Sequence, residues 1–321
     1  MKKLFIAIVA LAAAAACSNS EIVSLNQEAI AFDNAFVNNS VRSVVDPSYT
    51  NTNMFADFQV YGYVESQPLF NAEDTGVTVS KTITNDELSS VWKYNGTQYW
   101  IEGAKYNFAA VAPATGWTKT AASKDGVTLS FTNDGVHDIL YAQSAEITGK
   151  ATGNETVAFT FRHILSKAKF SFKNAYNATN TELQVRNIHI TNAYKTGNVA
   201  LTALRSDWSN QDGTLDLNFG NAAVASATAE EPFAFNTEVE SYNELLLIPA
   251  AYRSAAPLAI SFEYDIVVSG EVVRTFEVNT TVEASFEPGH SYDFKATITP
   301  GEPIEFTVTK ITDWTTNGRE F

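Results

Sequence analysis

Apolar positions alternate with polar ones along most of this chain. Val127, Leu129 and Phe131 are separated by small polar residues, as are Leu215, Leu217 and Phe219, while Ala168, Phe170 and Phe172 alternate with Lys167, Lys169, Ser171 and Lys173. Ile260, Phe262, Tyr264, Ile266 and Val268 alternate with Ser261, Glu263 and Asp265, and Tyr292, Phe294, Ala296 and Ile298 with Ser291, Asp293, Lys295 and Thr297. Successive side chains on a strand point to opposite faces, so this period of two predicts strands with one buried face. The pairs Asn95-Gly96, Asp125-Gly126, Asp134-Gly135, Asp212-Gly213 and Pro288-Gly289 punctuate the runs and predict turns. The expected class is all-β, built of antiparallel β-sandwiches. Helical periodicity is scarce, its best stretch being Asp86 to Trp92 behind a Thr84-Asn85 cap.

One boundary stands out. Residues 148–156 are small and polar and lie between the apolar segment Ile139-Leu140-Tyr141 and the strand-like Val157 to Phe161, so the chain is expected to divide near 155. A surface excursion is expected at Asn221 to Glu231, which is rich in Ala and Ser. No repeat of solenoid period is visible.

The leader changes the picture of where the protein works. Lys2 and Lys3 precede an uncharged segment from Leu4 to Ala16, and small residues lead into Cys17, the single cysteine of the chain. A basic start, a short apolar segment and small residues before a cysteine form the layout of a bacterial lipoprotein signal, with residues 1–16 removed and Cys17 lipidated. Ala14 stands where such signals usually carry Leu. The apolar segment is shorter than the ~20 residues a membrane-crossing helix needs, which predicts export and anchoring. Ser18 follows the cysteine, without the Asp that retains lipoproteins in the inner membrane, so an outer-membrane address is expected. Acylation would leave no thiol for a disulfide, a thiolate site or a cysteine nucleophile.

Charge removes one class of partner. The chain carries 36 acidic against 21 basic residues, net −15, and loss of Lys2 and Lys3 with the leader makes −17. Nucleic acid is not expected as a partner, because phosphate binding needs clustered Lys and Arg. At 45% hydrophobic and 12% aromatic the chain has ample material for a core.

Catalytic and metal chemistry leave little trace. His137, His163, His189 and His290 lie in separate segments without metal-ligand spacing, and His163 reads as a hydrogen-bonded residue at a strand end. No nucleophile elbow, phosphate loop or calcium loop is present. The expectation is no enzyme, no cofactor and no metal. Trp92, Trp100 and Trp117 sit in aromatic strand-like sequence and read as core. Arginine distribution is more telling: Arg42 is the only arginine before Arg162, in the polar stretch Asn38 to Ser43, the kind of exposed segment a protease cuts.

These features fall into a familiar order. The leader, the Ile30-Ala31-Phe32 segment followed by an arginine, Phe58-Gln59-Val60-Tyr61-Gly62-Tyr63, and Tyr99-Trp100 before Tyr106 to Pro113 resemble the bacterial fimbrillins. So do Phe161-Arg162-His163-Ile164-Leu165-Ser166-Lys167-Ala168-Lys169-Phe170 and the ending Ile304 to Val308, then Asp313-Trp314. The resemblance runs from leader to C-terminus. It implies a type V pilin: two transthyretin-like β-sandwich domains in tandem, here residues 43–155 and 156–321, behind a lipidated propeptide of residues 17–42. It further implies cleavage by an arginine-specific protease after Arg42, so that the subunit begins at Ser43 and the strand containing Ile30 and Phe32 is displaced.

A groove opened in this way would be filled by a terminal strand of another subunit, with Ile304, Phe306 and Val308 suited as the donor face. A core-strand role for the same three residues within the second domain fits their alternation equally well. Three large apolar side chains in such a groove supply about 5 to 9 kcal/mol before entropy costs, and head-to-tail pairing extends into a filament. The partners implied are other pilin subunits, the maturation protease, the outer membrane through the lipid anchor, and a host or bacterial surface ligand. The competing expectation is a surface glycan-binding lipoprotein, which requires Trp117, Trp208 or Trp314 to form an exposed platform.

Overall fold

The computed structural model of the chain describes residues 28–37, 56–83, 90–223, 231–299 and 301–311. In chain order the strands are β1 (Phe32–Val37), β2 (Asp57–Val64), β3 (Gln67–Pro68), β4 (Val77–Ile83), β5 (Ser90–Tyr94), β6 (Lys105–Ala112), β7 (Trp117–Ser123) and β8 (Gly126–Thr132). There follow β9 (Leu140–Gln143), β10 (Ile147–Thr148), β11 (Val157–His163), β12 (Ser166–Asn174), β13 (Thr181–Leu201), β14 (Ser206–Ala223), β15 (Phe233–Ala234) and β16 (Glu238–Ser241). The last are β17 (Leu245–Leu247), β18 (Ala251–Tyr252), β19 (Leu258–Val268), β20 (Glu271–Val282), β21 (Ala284–Ser285), β22 (Ser291–Ile298) and β23 (Phe306–Ile311). No helix occurs among the described residues, and the fold is all-β.

Two large sheets carry the architecture. The first runs β1-β11-β9-β6-β2-β4-β5, and the second β20-β19-β13-β14-β16-β12-β22-β23. Most neighbours are antiparallel; β1 with β11 and β12 with β22 are parallel. The hairpin β7–β8 joins the second sheet, β8 pairing with β13 from Thr132↔Thr196 to Val127↔Leu201. β11, which follows the polar stretch 148–156, joins the first sheet through β9 and β1. Chain order and sheet membership therefore interleave across the stretch where the sequence suggested a divide.

Three apolar clusters fill the molecule. One packs Phe170, Phe172, Phe219, Phe262 and Phe294 behind the second sheet. Another gathers Phe58, Val60, Trp100, Tyr106, Phe108, Phe159 and Phe161 on one face of the first sheet. The third takes Tyr61, Tyr63, Ala109, Val111 and Tyr141 from that sheet's other face and closes them against Leu129, Phe131, Val199 and Leu246. β2 and β6 thus have both faces covered, and their sequences lose the alternation seen elsewhere because neither face meets water.

Three local expectations are corrected. Ser90, Val91 and Trp92, expected to end a short helix, belong to β5, because the segment pairs with β4 and Trp92 packs edge-on against Phe58 at 4.9 Å; residues 84–89 lie outside the described residues. Asp212-Gly213 is no chain reversal but lies inside β14, where Gly213 takes φ +68° and its N–H bonds the Asp212 carboxylate at 2.7 Å. The expected excursion at 221–231 begins as strand, since Ala222 is buried and paired with Ser241.

Candidate functional site

The segment 28–37 is the feature with functional geometry. It is far in sequence from its neighbours, yet it is bound on both edges. On one side the Ile30 N–H donates to the Gln98 carbonyl at 2.8 Å and the Trp100 N–H to the Glu28 carbonyl at 3.0 Å, closing a bridge between Ala29 and Tyr99. On the other side the Val157 N–H donates to the Ala31 carbonyl at 2.8 Å, and β1 then runs parallel to β11 from Phe32↔Val157 to Val37↔Phe161.

Side chains do the rest. Ile30 is 1% exposed and Phe32 4%. The Phe32 ring is stacked on Phe159 with centroids 5.8 Å apart, and meets Tyr94 at 5.4 Å and Phe108 at 5.7 Å edge-on. Burying these two side chains contributes about 3 to 6 kcal/mol of transfer free energy. The Tyr94 hydroxyl donates to the Ile30 carbonyl at 2.9 Å, and burial pushes its pKa up, so it stays a donor.

A polar clamp holds the start of the segment. The Glu28 carboxylate accepts the backbone N–H groups of Gly153 and Asn154 at 2.7 and 2.6 Å and the Asn154 side-chain amide at 2.9 Å. The Gly153 and Asn154 amides hold its pKa below the ordinary glutamate range. Sequence reasoning missed this clamp, having read 148–156 only as a connection. The signal available was a Gly-Asn pair, whose backbone N–H groups are free to bind a carboxylate.

The other terminal strand occupies the opposite sheet. β23 pairs antiparallel with β22 from Phe306↔Ala296 to Ile311↔Ser291 and ends the strand order there. Phe306 meets Phe170 at 5.6 Å, Phe172 at 5.9 Å and Phe262 at 5.9 Å. Ile304 and Val308 are likewise partly buried against the same cluster. The Lys310 ammonium bonds the Glu287 carboxylate at 2.7 Å and lowers its pKa.

Ile30 and Phe32 thus share one core, Ile304, Phe306 and Val308 another. Cys17, Arg42 and Ser43 lie outside the described residues. The four histidines are dispersed: His137 pairs with Asp134 and His189 with Asp216, His163 closes β11 against Asp138, and His290 meets the Pro288 carbonyl. Trp117 and Trp208 do not form an open platform; both are half-buried, their indole N–H groups bonding the carbonyls of Pro113 and Ile164 at 2.8 and 2.9 Å. Trp314 lies outside the described residues.

Comparison with known proteins now adds to this geometry. A family model described as fimbrillin-like matches residues 46–314. A crystal structure of a "putative cell adhesion protein" from Bacteroides ovatus superposes with a TM-score of 0.50 at 16% identity, covering 90% of this chain and 99% of that one. A fimbrial assembly protein from Parabacteroides distasonis gives a TM-score of 0.42 at 14% identity, covering 88% and 100%. The fimbrial anchor protein Mfa2 from Porphyromonas gingivalis gives 0.35 at 8% identity, covering 79% and 88%. No curated protein matches the chain. At these identities the likeness to the Bacteroides ovatus protein is one of fold.

Proposed function

The chain belongs to the fimbrillin-like family, and from that premise we propose that it is a structural subunit of a cell-surface fimbria, polymerised by exchange of strands between copies and serving adhesion and biofilm formation. It is exported as an outer-membrane lipoprotein through Cys17 and matured by an arginine-specific protease that cuts between Arg42 and Ser43. Its partners are other pilin subunits, a host or bacterial surface ligand and, before maturation, the membrane that holds the lipid.

The observation that carries this reading is the placement of Ile30 and Phe32. They are core residues of the first sheet, yet they lie N-terminal to the proposed cut and reach the body through a seat of rings and edge hydrogen bonds. Cleavage after Arg42 cuts the covalent link between plug and body while leaving the plug in place. The plug then leaves at the rate set by its own binding, and a strand with apolar side chains at alternate positions takes the vacated edge. Ile304, Phe306 and Val308 present that alternation, and as an edge strand β23 breaks one ladder on leaving.

Digestion of the purified full chain with an arginine-specific protease tests this, with N-terminal sequencing and sedimentation before and after. The expected result is a new N-terminus at Ser43 and conversion of monomer to rods, with Arg42→Ala resisting both. A monomeric product cleaved at Ser43 refutes polymerisation by strand exchange, and resistance of the wild-type bond refutes maturation there.

A further inference from the structure

Three segments remote from one another in sequence meet in an open cleft of about 290 Å³. They are the loop that follows β8, the middle of β14 and the connection from β16 into β17. A buried asparagine assembles them. Asn133, 1% exposed, donates its side-chain amide to the Leu246 carbonyl at 2.9 Å, accepts the Gly135 N–H at 3.0 Å and gives its own N–H to the Lys195 carbonyl at 2.8 Å. Gly135, at φ +84°, lets the loop press on β14: a Cβ there would stand 2.4 Å from Leu217. The cleft is therefore a fixed feature of the fold.

Its lining has a definite chemistry. Two carboxylates, Asp134 and Asp216, and two carboxamides, Asn218 and Asn243, line the cleft together with the exposed Val136 and the edges of the core residues Leu217 and Leu245. Each polar group is already oriented by a neighbour. Asp134 accepts the N–H groups of Val136 and His137 at 2.9 Å, Asp216 pairs with His189 at 2.7 Å, Asn218 accepts the Gly220 N–H at 2.8 Å, and Asn243 donates to the Asn218 carbonyl at 3.4 Å. One Asp216 oxygen, the Asn218 amide nitrogen and the Asn243 amide oxygen remain over, a mixture of donors and acceptors.

Two large apolar residues lie exposed at the same place. Val136 lines the cleft at 44% exposure, and Tyr242, at 61%, precedes Asn243 and approaches Gly220 with it. No lysine or arginine lines the cleft, and two carboxylates repel an anion. A hydroxyl both donates and accepts, so vicinal hydroxyls over a C–H face match carboxylates, carboxamides and apolar surface together. The volume lies just below the ~300–1,000 Å³ of small-molecule sites, room for a single ring. We infer that this cleft binds one neutral pyranose residue of a glycan. The inference stands apart from strand exchange, since the lining comes from the loop after β8, from β14 and from the connection into β17 and includes no residue of the N-terminal segment or β23.

Saturation-transfer NMR on the full, uncleaved chain tests it, using methyl α-D-mannopyranoside, methyl β-D-galactopyranoside, N-acetylglucosamine and L-fucose as probes, with anionic N-acetylneuraminic acid as comparator. At least one neutral sugar is expected to bind saturably and to shift the methyl signals of Val136, Leu217 and Leu245 in the unmodified protein. Asn218→Ala and Asn243→Ala are each expected to weaken that binding about two- to tenfold, the loss of one hydrogen bond to a ligand. Absence of binding by all four sugars, methyl shifts elsewhere, or equal binding of the anionic sugar overturns the assignment.

Discussion

At the edge of the first sheet the segment 28–37 drives Ile30 and Phe32 fully into the core, whereas at the edge of the second sheet β23 leaves Phe306 and Val308 only half covered. Both segments are terminal and both place apolar residues at alternate positions. Their attachments differ. β23 relies on a regular antiparallel ladder of six residue pairs with β22, which follows directly from chain proximity. The N-terminal segment lies alongside β11 in parallel, more than a hundred residues away, and is secured by rings, a tyrosine hydroxyl and a carboxylate clamp. Removing the N-terminal segment would vacate fully buried side-chain positions, while removing β23 would uncover a sheet edge and only half-buried ones.

Large-to-small substitution gives the widest separation between the two. Phe32→Ala in the uncleaved chain is expected to cost about 3 to 5 kcal/mol in urea unfolding, the range for a fully buried phenylalanine. Phe306→Ala, at a half-covered site, is expected to cost about half as much, since the loss scales with the area removed from water. Equal costs would break the distinction between plug and edge strand.

The clamp sharpens it through pH. Because the folded-state pKa of Glu28 is depressed, its contribution is fully present above the unfolded value of about 4.3 and is lost as pH falls through the lower folded value. Glu28→Gln is therefore expected to lower Tm at pH 7 and to lower it progressively less as pH drops below about 4. A deficit that stays constant with pH refutes the clamp. The smallest effect belongs to β23: Lys310→Met removes an exposed pair with Glu287 and is expected to change stability by less than about 0.5 kcal/mol.

Much of this was legible residue by residue. The alternations around Phe170, Phe262 and Phe294 are strands with those rings inward, because period two has one structural meaning when one face is wet. Ile30 and Phe32 were readable as a strand-like pair, and both are core. Trp92 is packed against the core as its aromatic strand-like sequence suggested, whereas the end of the helical stretch Asp86 to Trp92 is strand, because a short polar-apolar run carries no period of its own and pairing with β4 decides it. Asp212-Gly213 was misjudged because the same dipeptide serves a reversal or an irregularity inside a long strand. Gly135 read only as part of an Asp134-Gly135 turn and Asn133 was not singled out, since their partners Leu217 and Leu246 in the cleft are remote in sequence.

The sequence by itself determined the all-β class, the inward-facing residues of the one-sided strands and the family, since these rest on local periodicity and on the order of short motifs. Only the tertiary structure decided which strands share a sheet: that β7 and β8 pair with β13, that β11 closes the first sheet, and that Glu28 finds Gly153 and Asn154. Alternation along a strand fixes which side chains turn inward. It carries no information on which remote edge supplies the hydrogen bonds, a choice made by burial and by shape when the chain collapses.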